Sequence, residues 1–374
     1  MEKKVLFVAT VTGHINSFHI PYLKWFKEQG YEVHVASRGN QEIQYCDKHF
    51  EISFERFPLK INNIKAYNEL KRIIKNNNYN IIHCHTPVGG VLTRLAARNV
   101  RKNGTKVIYT AHGFHFYKGA PISNWVLYYP LEKLMSYYTD CLITINNEDY
   151  QIARRKFKAK KIALVHGVGM NTEKFNKEIT EEDKTNKRKE LGIKDNDIVF
   201  TYVAELNKNK NQVLLLDVIQ KIKKEKKNVK LLLVGYCNNN QFYDQEIEKR
   251  NLRNEVRLLG ERIDIPEILS ITNIYLASSI REGLPVNIME AMYMRLPIIV
   301  TNNRGHGELV KNNVNGYIVK NDANEFEKAI KEILKDKDKM NQFKNNSYKM
   351  SKKYQIENVI QQMINLYKEV SEDI

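Results

Sequence analysis

Short β-branched runs alternate with helix-like segments along nearly the whole chain, and this alternation restricts the fold more than any other feature. In the first half the runs are Val5–Thr10, Glu32–Ser37, Ile81–Thr86, Lys106–Ala111, Cys141–Asn146 and Ile162–His166. In the second they are Ile198–Leu206, Lys230–Gly235, Val256–Gly260, Ile274–Ser278, Pro297–Thr301 and Gly316–Val319. Such alternation builds parallel sheets covered by helices, so an α/β chain with two doubly wound sheets is expected. A length of 374 residues suits two domains, each large enough to bury its own core. Residues 171–196 between the two sets are polar, charged and without apolar period, which places a linker there. The expected division is therefore 1–170 and 197–353 as Rossmann-like domains facing a central cleft, with 354–374 as a C-terminal helix. That helix carries an apolar stripe, Ile356, Val359, Ile360, Met363, Ile364 and Tyr367, and is expected to pack back on the N-terminal domain.

Composition narrows the class. Apolar content of 42% and charge of 28% are globular values, and no apolar run approaches the roughly 20 residues that span a bilayer. The opening MEKKVLFVAT reads as a first strand rather than a signal peptide, because the run is short, Gly13-His14 interrupts it and no small-residue cleavage site follows. Cys46, Cys84, Cys141 and Cys237 show no paired spacing, which argues for a reducing compartment, the cytoplasm, and against a zinc site. The formal charge of +17 is uneven: residues 1–180 hold 27 Lys+Arg against 14 Asp+Glu, and the remainder 33 against 29. A basic first half attracts nucleic acid, a membrane surface or a phosphorylated acceptor, unless the lysines merely keep the protein soluble. Nucleic acid is disfavoured, since no stacking motif or recognition module accompanies the charge. The cluster Arg154, Arg155, Lys156, Lys158, Lys160 and Lys161, with the aromatics of Trp125–Tyr129, suits peripheral docking on an anionic inner membrane leaflet.

The most specific motif is REGLPVNIMEAM, Arg281–Met292. It follows the apolar run Ile274–Ala277 and opens a helical face, so a turn is expected at a strand's carboxyl end, where ligands collect. The turn glycine, Gly283, and the amides of Leu284, Val286 and Asn287 can cradle a pyrophosphate at the positive end of the helix dipole. Glu282 and Glu290 flank that cradle and suit sugar and ribose hydroxyls. The loop after the run Ile198–Leu206 carries Lys208 and Lys210, point charges suited to a departing diphosphate, although solvated lysines would look the same. Arg262 ends another strand near a nucleotide base or phosphate, whereas Asp264 is expected to cap the helix at Pro266.

In the first half, Gly13 follows the first strand and would let the backbone approach a phosphate or an acceptor sugar. His14 and His19 are read as lying on a loop and a half-buried helix face, with His14 in reach of an acceptor. Period-2 alternation puts His83 and His85 on one side of their strand. With no third ligand beside them in sequence, a metal is not expected, and His85 is assigned to hydrogen bonding at the cleft rim. His112-Gly113 ends the run from Lys106, where the imidazole can donate to a sugar hydroxyl or phosphate oxygen; His115, between two aromatics, is read as packing.

Together these residues resemble glycosyltransferase family 4, retaining enzymes of the GT-B fold, over nearly the whole chain. TAHGFHF (Thr110–Phe116), FHIPYL (Phe18–Leu23) and HCHTP (His83–Pro87) resemble the branch that builds bacterial capsule, exopolysaccharide and lipid-linked oligosaccharide. The resemblance implies that Glu282 contacts the donor sugar, Glu290 the ribose, the turn amides the diphosphate, and His112 both sugar and diphosphate. Asp140, Asn146, Val165–Gly169 and Phe175 fit the same pattern in structural roles. Many members carry an arginine and then a lysine after the first strand of the second domain; here Glu205 stands at the arginine position and Lys210 at the lysine. The implied reaction transfers a hexose or N-acetylhexosamine from a nucleotide diphosphate sugar, a UDP-sugar, to a lipid-diphosphate-linked saccharide. It needs no cofactor and no metal. An epimerase of the same fold or an idle donor-binding partner subunit would use the same donor site.

Overall fold

The computed structural model describes residues 3–58 and 60–372, so Met1 and Glu2 of the expected N-terminal domain, Leu59, and Asp373 and Ile374 of the expected C-terminal helix lie outside the described residues. The chain forms two compact units, Met1–Val168 with Glu357–Ile374, and Gly169–Ile356.

The first unit is built on a parallel sheet: β1 (Lys3–Val11), β2 (Tyr31–Arg38), β3 (Lys48–Glu51), β4 (Ile81–His85), β5 (Lys106–Ala111), β6 (Cys141–Thr144) and β7 (Lys161–Leu164). Its order is β3-β2-β1-β4-β5-β6-β7, so the winding reverses between β1 and β4, which pair with Val5 opposite Ile81. The strands are apolar without alternation because both faces are covered; Val5 to Ala9 have no exposed surface. The run Lys48–Glu51 is short and polar, carries no strand signal, and pairs only at the sheet edge beside β2.

The second unit repeats the plan with β8 (Ile198–Val203), β9 (Val229–Val234), β10 (Val256–Gly260), β11 (Ile274–Ala277), β12 (Ile298–Thr301) and β13 (Gly316–Val319). The order β10-β9-β8-β11-β12-β13 reverses between β8 and β11. In each unit the reversal opens a crevice at the strands' carboxyl ends, where α/β sheets bind ligands.

One segment departs from the sequence reading, and the C-terminal helix follows it. Within 171–196 a helix forms over Glu181–Glu190 although it buries no residue; a capping box holds its start, Asp183 N–H donating to Thr180 Oγ1 at 3.1 Å and Thr180 N–H to Asp183 Oδ2 at 2.9 Å. The C-terminal helix Ile356–Glu372 buries Val359, Met363, Tyr367 and Val370 in the first unit's core, beside Val5, Phe7 and Phe26. Of the stripe expected from sequence, Ile360 is only partly buried and packs against that core.

Candidate donor and acceptor sites

In the second unit, β11 ends at Ala277 and the chain turns through Ser278–Pro285 into the helix Val286–Tyr293, whose N-cap is Pro285. Proline offers no side-chain acceptor and no side-chain cap bond is made, so the amides of Val286 and Asn287 stand ready for an anion. The Asn287 side chain is occupied: Nδ2 donates to the Val203 carbonyl at 2.6 Å, fastening the helix start to the end of β8, while Oδ1 accepts from Ile288 N–H at 2.9 Å. Its ligand contact is therefore left to its backbone amide. Leu284 packs against the unit's core and Arg281 is exposed.

The loop after β8 is sewn to the loop after β11. Ile280 N–H donates to the Asn209 carbonyl at 2.8 Å, Asn209 Nδ2 to the Arg281 carbonyl at 3.1 Å, and Ser278 Oγ to the Lys210 carbonyl at 2.8 Å. This stitching brings Lys210 and Glu282 together: Lys210 Nζ lies 2.5 Å from Glu282 Oε1, which also accepts from Ser279 Oγ at 2.6 Å. A cation and a carboxylate 72 positions apart in the chain thus share one spot beside an uncapped helix start. Lys208 and Glu205 are exposed on the same loop.

Glu290 is only 8% exposed, and its Oε1 pairs with Lys174 Nζ at 2.5 Å. Lys174, from the turn Glu173–Phe175, carried no sequence signal. Two expectations are corrected. Arg262 is not held out toward a nucleotide: it pairs with Asp264 at 2.7 and 2.6 Å and with Glu190 at 2.7 Å. Asp264 occupies the N-cap position of the helix Ile265–Ser270 without capping it, because its carboxylate is taken by Arg262 and by Lys187 at 2.6 Å. These two cations, Arg262 first, hold the Asp264 carboxyl well below the usual carboxylate range.

Sequence reading missed the loop after β12. A Cβ on Gly305 would lie 2.8 Å from Glu282 Cβ and from the Gly283 carbonyl oxygen, so only glycine lets this loop approach the Glu282 turn. Next to it, His306 Nδ1 lies 2.7 Å from the Thr301 carbonyl, which can only accept, so the ring proton sits on Nδ1. Nε2 is then a buried acceptor without a partner among the described residues. Burial lowers the His306 pKa to about 4 and keeps the ring neutral, against the opposing pull of the Thr301 carbonyl and Glu282. The G-x-G pattern Gly305-His306-Gly307 at a strand end was the available signal.

In the first unit, the carboxyl ends of β1, β4 and β5 gather four histidines: His14, His19, His85 and His112. Their ligand atoms all lie within 4.8 Å of one another. His14 is in the helix Thr12–Phe18, and His19 is the break between it and the helix Ile20–Glu28, which turns its ring inward to 3% exposure. The loop and half-buried positions read for these two are thus corrected. His85 is also corrected: it has no exposed surface and is not at a rim. The third and fourth imidazoles that sequence spacing could not supply arrive from other strand ends. Burial, with the neighbouring histidines adding to it, pushes the His19 and His85 pKa values well below 6.5; burial likewise lowers His14 to about 4 and His112 to about 3.

His83 points the same way as His85 but is satisfied: Nδ1 meets Tyr367 Oη at 2.8 Å and Nε2 meets Thr110 Oγ1 at 2.8 Å. Beside the cluster Thr86 is held at φ 64°, strained for a residue with a side chain, by bonds from Thr10 N–H at 3.1 Å and Thr10 Oγ1 at 2.6 Å. A Cβ on Gly13 would meet only Gln41 Oε1, at 3.8 Å. His115 stacks on Tyr128, Asp140 is bound by Arg101 at 2.8 Å, and Asn146 caps the helix Asn147–Lys156.

The interfacial aromatics are rearranged relative to the sequence reading. Trp125, Tyr128 and Tyr129 pack toward the core, and the helix Ile122–Ser136 instead turns Ile122 (81% exposed), Val126 (70%) and Leu127 (59%) outward. In the basic cluster Lys160 pairs with Asp140 and Lys161 with Glu369, while Arg154, Arg155 and Lys156 are exposed.

Two parallel, doubly wound units with these crevices define a GT-B glycosyltransferase fold. A solved Anabaena HepE structure in complex with UDP shares it with a TM-score of 0.78 at 18% identity, over 99% of this chain and all of that one. Residues 183–350 match the model for glycosyl transferases group 1, and residues 4–146 the model for glycosyl transferase 4-like domains. A Bacillus subtilis protein named as glycosyltransferase EpsD is 44% identical over 335 residues, 89% of this chain and 88% of the relative. The Escherichia coli UDP-Gal:alpha-D-GlcNAc-diphosphoundecaprenol alpha-1,3-galactosyltransferase is 32% identical over 284 residues, 74% of this chain and 72% of that protein. The chain belongs to the glycosyltransferase 4-like family of nucleotide-sugar-dependent enzymes.

Proposed function

We propose that this enzyme moves a hexose or N-acetylhexosamine from a UDP-sugar to a lipid-diphosphate-linked saccharide, with retention at the anomeric carbon. The observation that carries the reading is the Lys210–Glu282 pair at the uncapped start of the helix Val286–Tyr293. An incoming diphosphate would draw on Lys210 and on the helix amides, while Glu282, held by Ser279, would orient sugar hydroxyls. Glu290 would bind the ribose, and Lys174 would fix its rotamer. With Glu205 at the position where family members place an arginine, leaving-group charge would rest on Lys210 and the amides, with Lys208 and Arg281 exposed nearby.

Retention fits a same-face route in which the departing phosphate oxygen accepts the acceptor's proton, since no side chain here has the character of a covalent nucleophile. His112 would support the sugar and diphosphate, with Gly13 on the donor side and His14 on the acceptor side. His85, buried, would act through its neighbours. The E. coli relative's name supports a diphosphoundecaprenol-type acceptor. Among the described residues no helix is long and apolar enough to cross a membrane. Peripheral docking at the inner leaflet would use Ile122, Val126 and Leu127 with Arg154, Arg155 and Lys156.

A panel of UDP-sugars, incubated with and without a lipid-linked acceptor, tests the proposal through UDP release and product mass. Acceptor-dependent UDP release with a mass gain of one hexose or N-acetylhexosamine is expected. Conversion of the donor without acceptor would indicate an epimerase, and binding without turnover an idle subunit.

A further inference from the structure

The four-histidine cluster is chemically unusual because its nitrogens face one another with nothing to bond. Among the described residues neither ring nitrogen of His19 or His85 has a hydrogen-bond partner, and Nε2 of His14 and of His112 is buried and equally unpartnered. An unmade hydrogen bond at a buried polar atom costs about 1–3 kcal/mol, and native proteins leave few of them. His83 shows the ordinary solution two residues away, with both nitrogens satisfied by hydroxyls. Among the described residues no such hydroxyl meets these nitrogens of the other four.

Geometry fits a small cation. His14 and His112 meet edge to face at 4.7 Å between centroids and His14 and His19 lie 5.1 Å apart, whereas His19 and His85 are stacked at 3.8 Å and 26°, so one of these two rings must turn before both in-plane lone pairs meet an ion. A cavity of about 20 Å³ adjoins His19, His85 and His112, which is room for one ion or one water. Zinc binds imidazole nitrogen at about 2.0–2.1 Å, so a tetrahedral shell holds its ligand nitrogens about 3.3 Å apart. One nitrogen from each of the four rings already lies within 4.8 Å of the others, so closing to that spacing asks for ring rotations and small shifts.

We propose that His14, His19, His85 and His112 bind one divalent transition-metal ion of the zinc class. The ligands come from two strand ends, from the helix that follows β1 and from the break after it, so the ion ties together the crevice at the β1/β4 reversal. Four protein nitrogens leave no open position, which makes the site structural rather than hydrolytic. The second nitrogens of His19 and His85 have no carbonyl or carboxylate behind them, so affinity falls below that of sites with such support and a chelator strips the ion. Coordination through Nε2 also leaves the ring proton of His112 on Nδ1, fixing it as a donor toward substrate oxygen. The metal site stands on the histidine geometry alone; that last consequence rests on the role proposed for His112.

The test uses full-length, tag-free protein stripped with EDTA, then dialysed against Zn²⁺ or Co²⁺. Expected are about one ion per chain, a zinc X-ray absorption shell of four nitrogens at about 2.0 Å with imidazole scattering, and an intense visible Co²⁺ band of tetrahedral type. His85→Ala and His19→Gln should each lower occupancy at least about 10-fold, while His49→Ala, outside the cluster, keeps it. Folded wild-type protein that holds less than about a tenth of an ion, or a shell of six oxygens, overturns the proposal and assigns the cavity to water. UDP binding, read separately by calorimetry, reports on the second unit, so loss of metal and failure of the donor-site reading are told apart.

Discussion

Alanine at Lys210 and Glu282, singly and together, probes whether the pair acts as one device. The two side chains meet at 2.5 Å with 22% and 13% of their surface exposed, so the contact is partly shielded from water. Removing one preorganised electrostatic contact from a transition state costs about 10²–10³ in kcat, or roughly 2.7–4 kcal/mol. If the residues acted independently, the double variant would lose the product, about 10⁴–10⁶. A unit in which Glu282 positions Lys210, and Lys210 holds Glu282, fails once when either member goes, so Lys210→Ala, Glu282→Ala and the double variant should all fall by about 10²–10³. Initial rates of UDP release with saturating acceptor give the values, and circular dichroism confirms folding. Wild-type turnover in either folded single variant removes that residue from the mechanism, and a full multiplicative loss in the double variant refutes the coupling.

Other outcomes follow from geometry already described. Gly305→Ala places a methyl 2.8 Å from Glu282 Cβ and the Gly283 oxygen and should weaken UDP binding by at least about 10-fold in calorimetry without unfolding the chain, with one misplaced contact of about 1.4 kcal/mol sufficing. Tyr367→Phe takes one hydroxyl from His83 Nδ1 and should lower stability by about 1–3 kcal/mol in urea unfolding, leaving UDP affinity unchanged. Below pH 6.5 the metal-free protein should lose stability steadily. The cluster histidines stay neutral when folded, His14 down to about 4 and His112 to about 3, while the unfolded chain takes up protons from 6.5 downward. Their contribution is therefore full above 6.5 and shrinks as pH falls, and His112→Asn should flatten the dependence of the urea midpoint on pH between 6.5 and 4.

The strands were legible because parallel sheets covered on both faces need unbroken apolar runs, and those runs coincide with twelve of the strands described above. β3 was not, since Lys48-His-Phe-Glu51 pairs by its backbone at an edge and buries little. The helix Glu181–Glu190 escaped for a related reason: it has no buried face, and only Thr180-x-x-Asp183 announces it. In the donor site, Glu282 and Lys210 could be found one at a time from strand ends and a Gly-Leu-Pro turn, but not their contact, which depends on β8 lying beside β11. Lys174 is delivered by a connection whose path no local pattern encodes, whereas Gly305 and His306 left a G-x-G signal at a strand end that does not by itself say which turn it approaches. Arg262 and Asp264 misled because a charge at a strand end looks the same whether it faces a ligand or an ion-pair partner.

The place of the helix Ile356–Glu372 bears on how the molecule is made. A ribosome releases the first unit's seven strands early, yet four side chains of that unit's core, Val359, Met363, Tyr367 and Val370, emerge only after the second unit has been completed. His83 waits for the Tyr367 hydroxyl, and Phe26 for the ring against it at 4.8 Å, through the synthesis of everything between. The nascent N-terminal half therefore lacks part of its core until the helix Ile356–Glu372 has been made. Fragments cut near residue 168, and fusions that hold the last helix away from the sheet, lack it permanently.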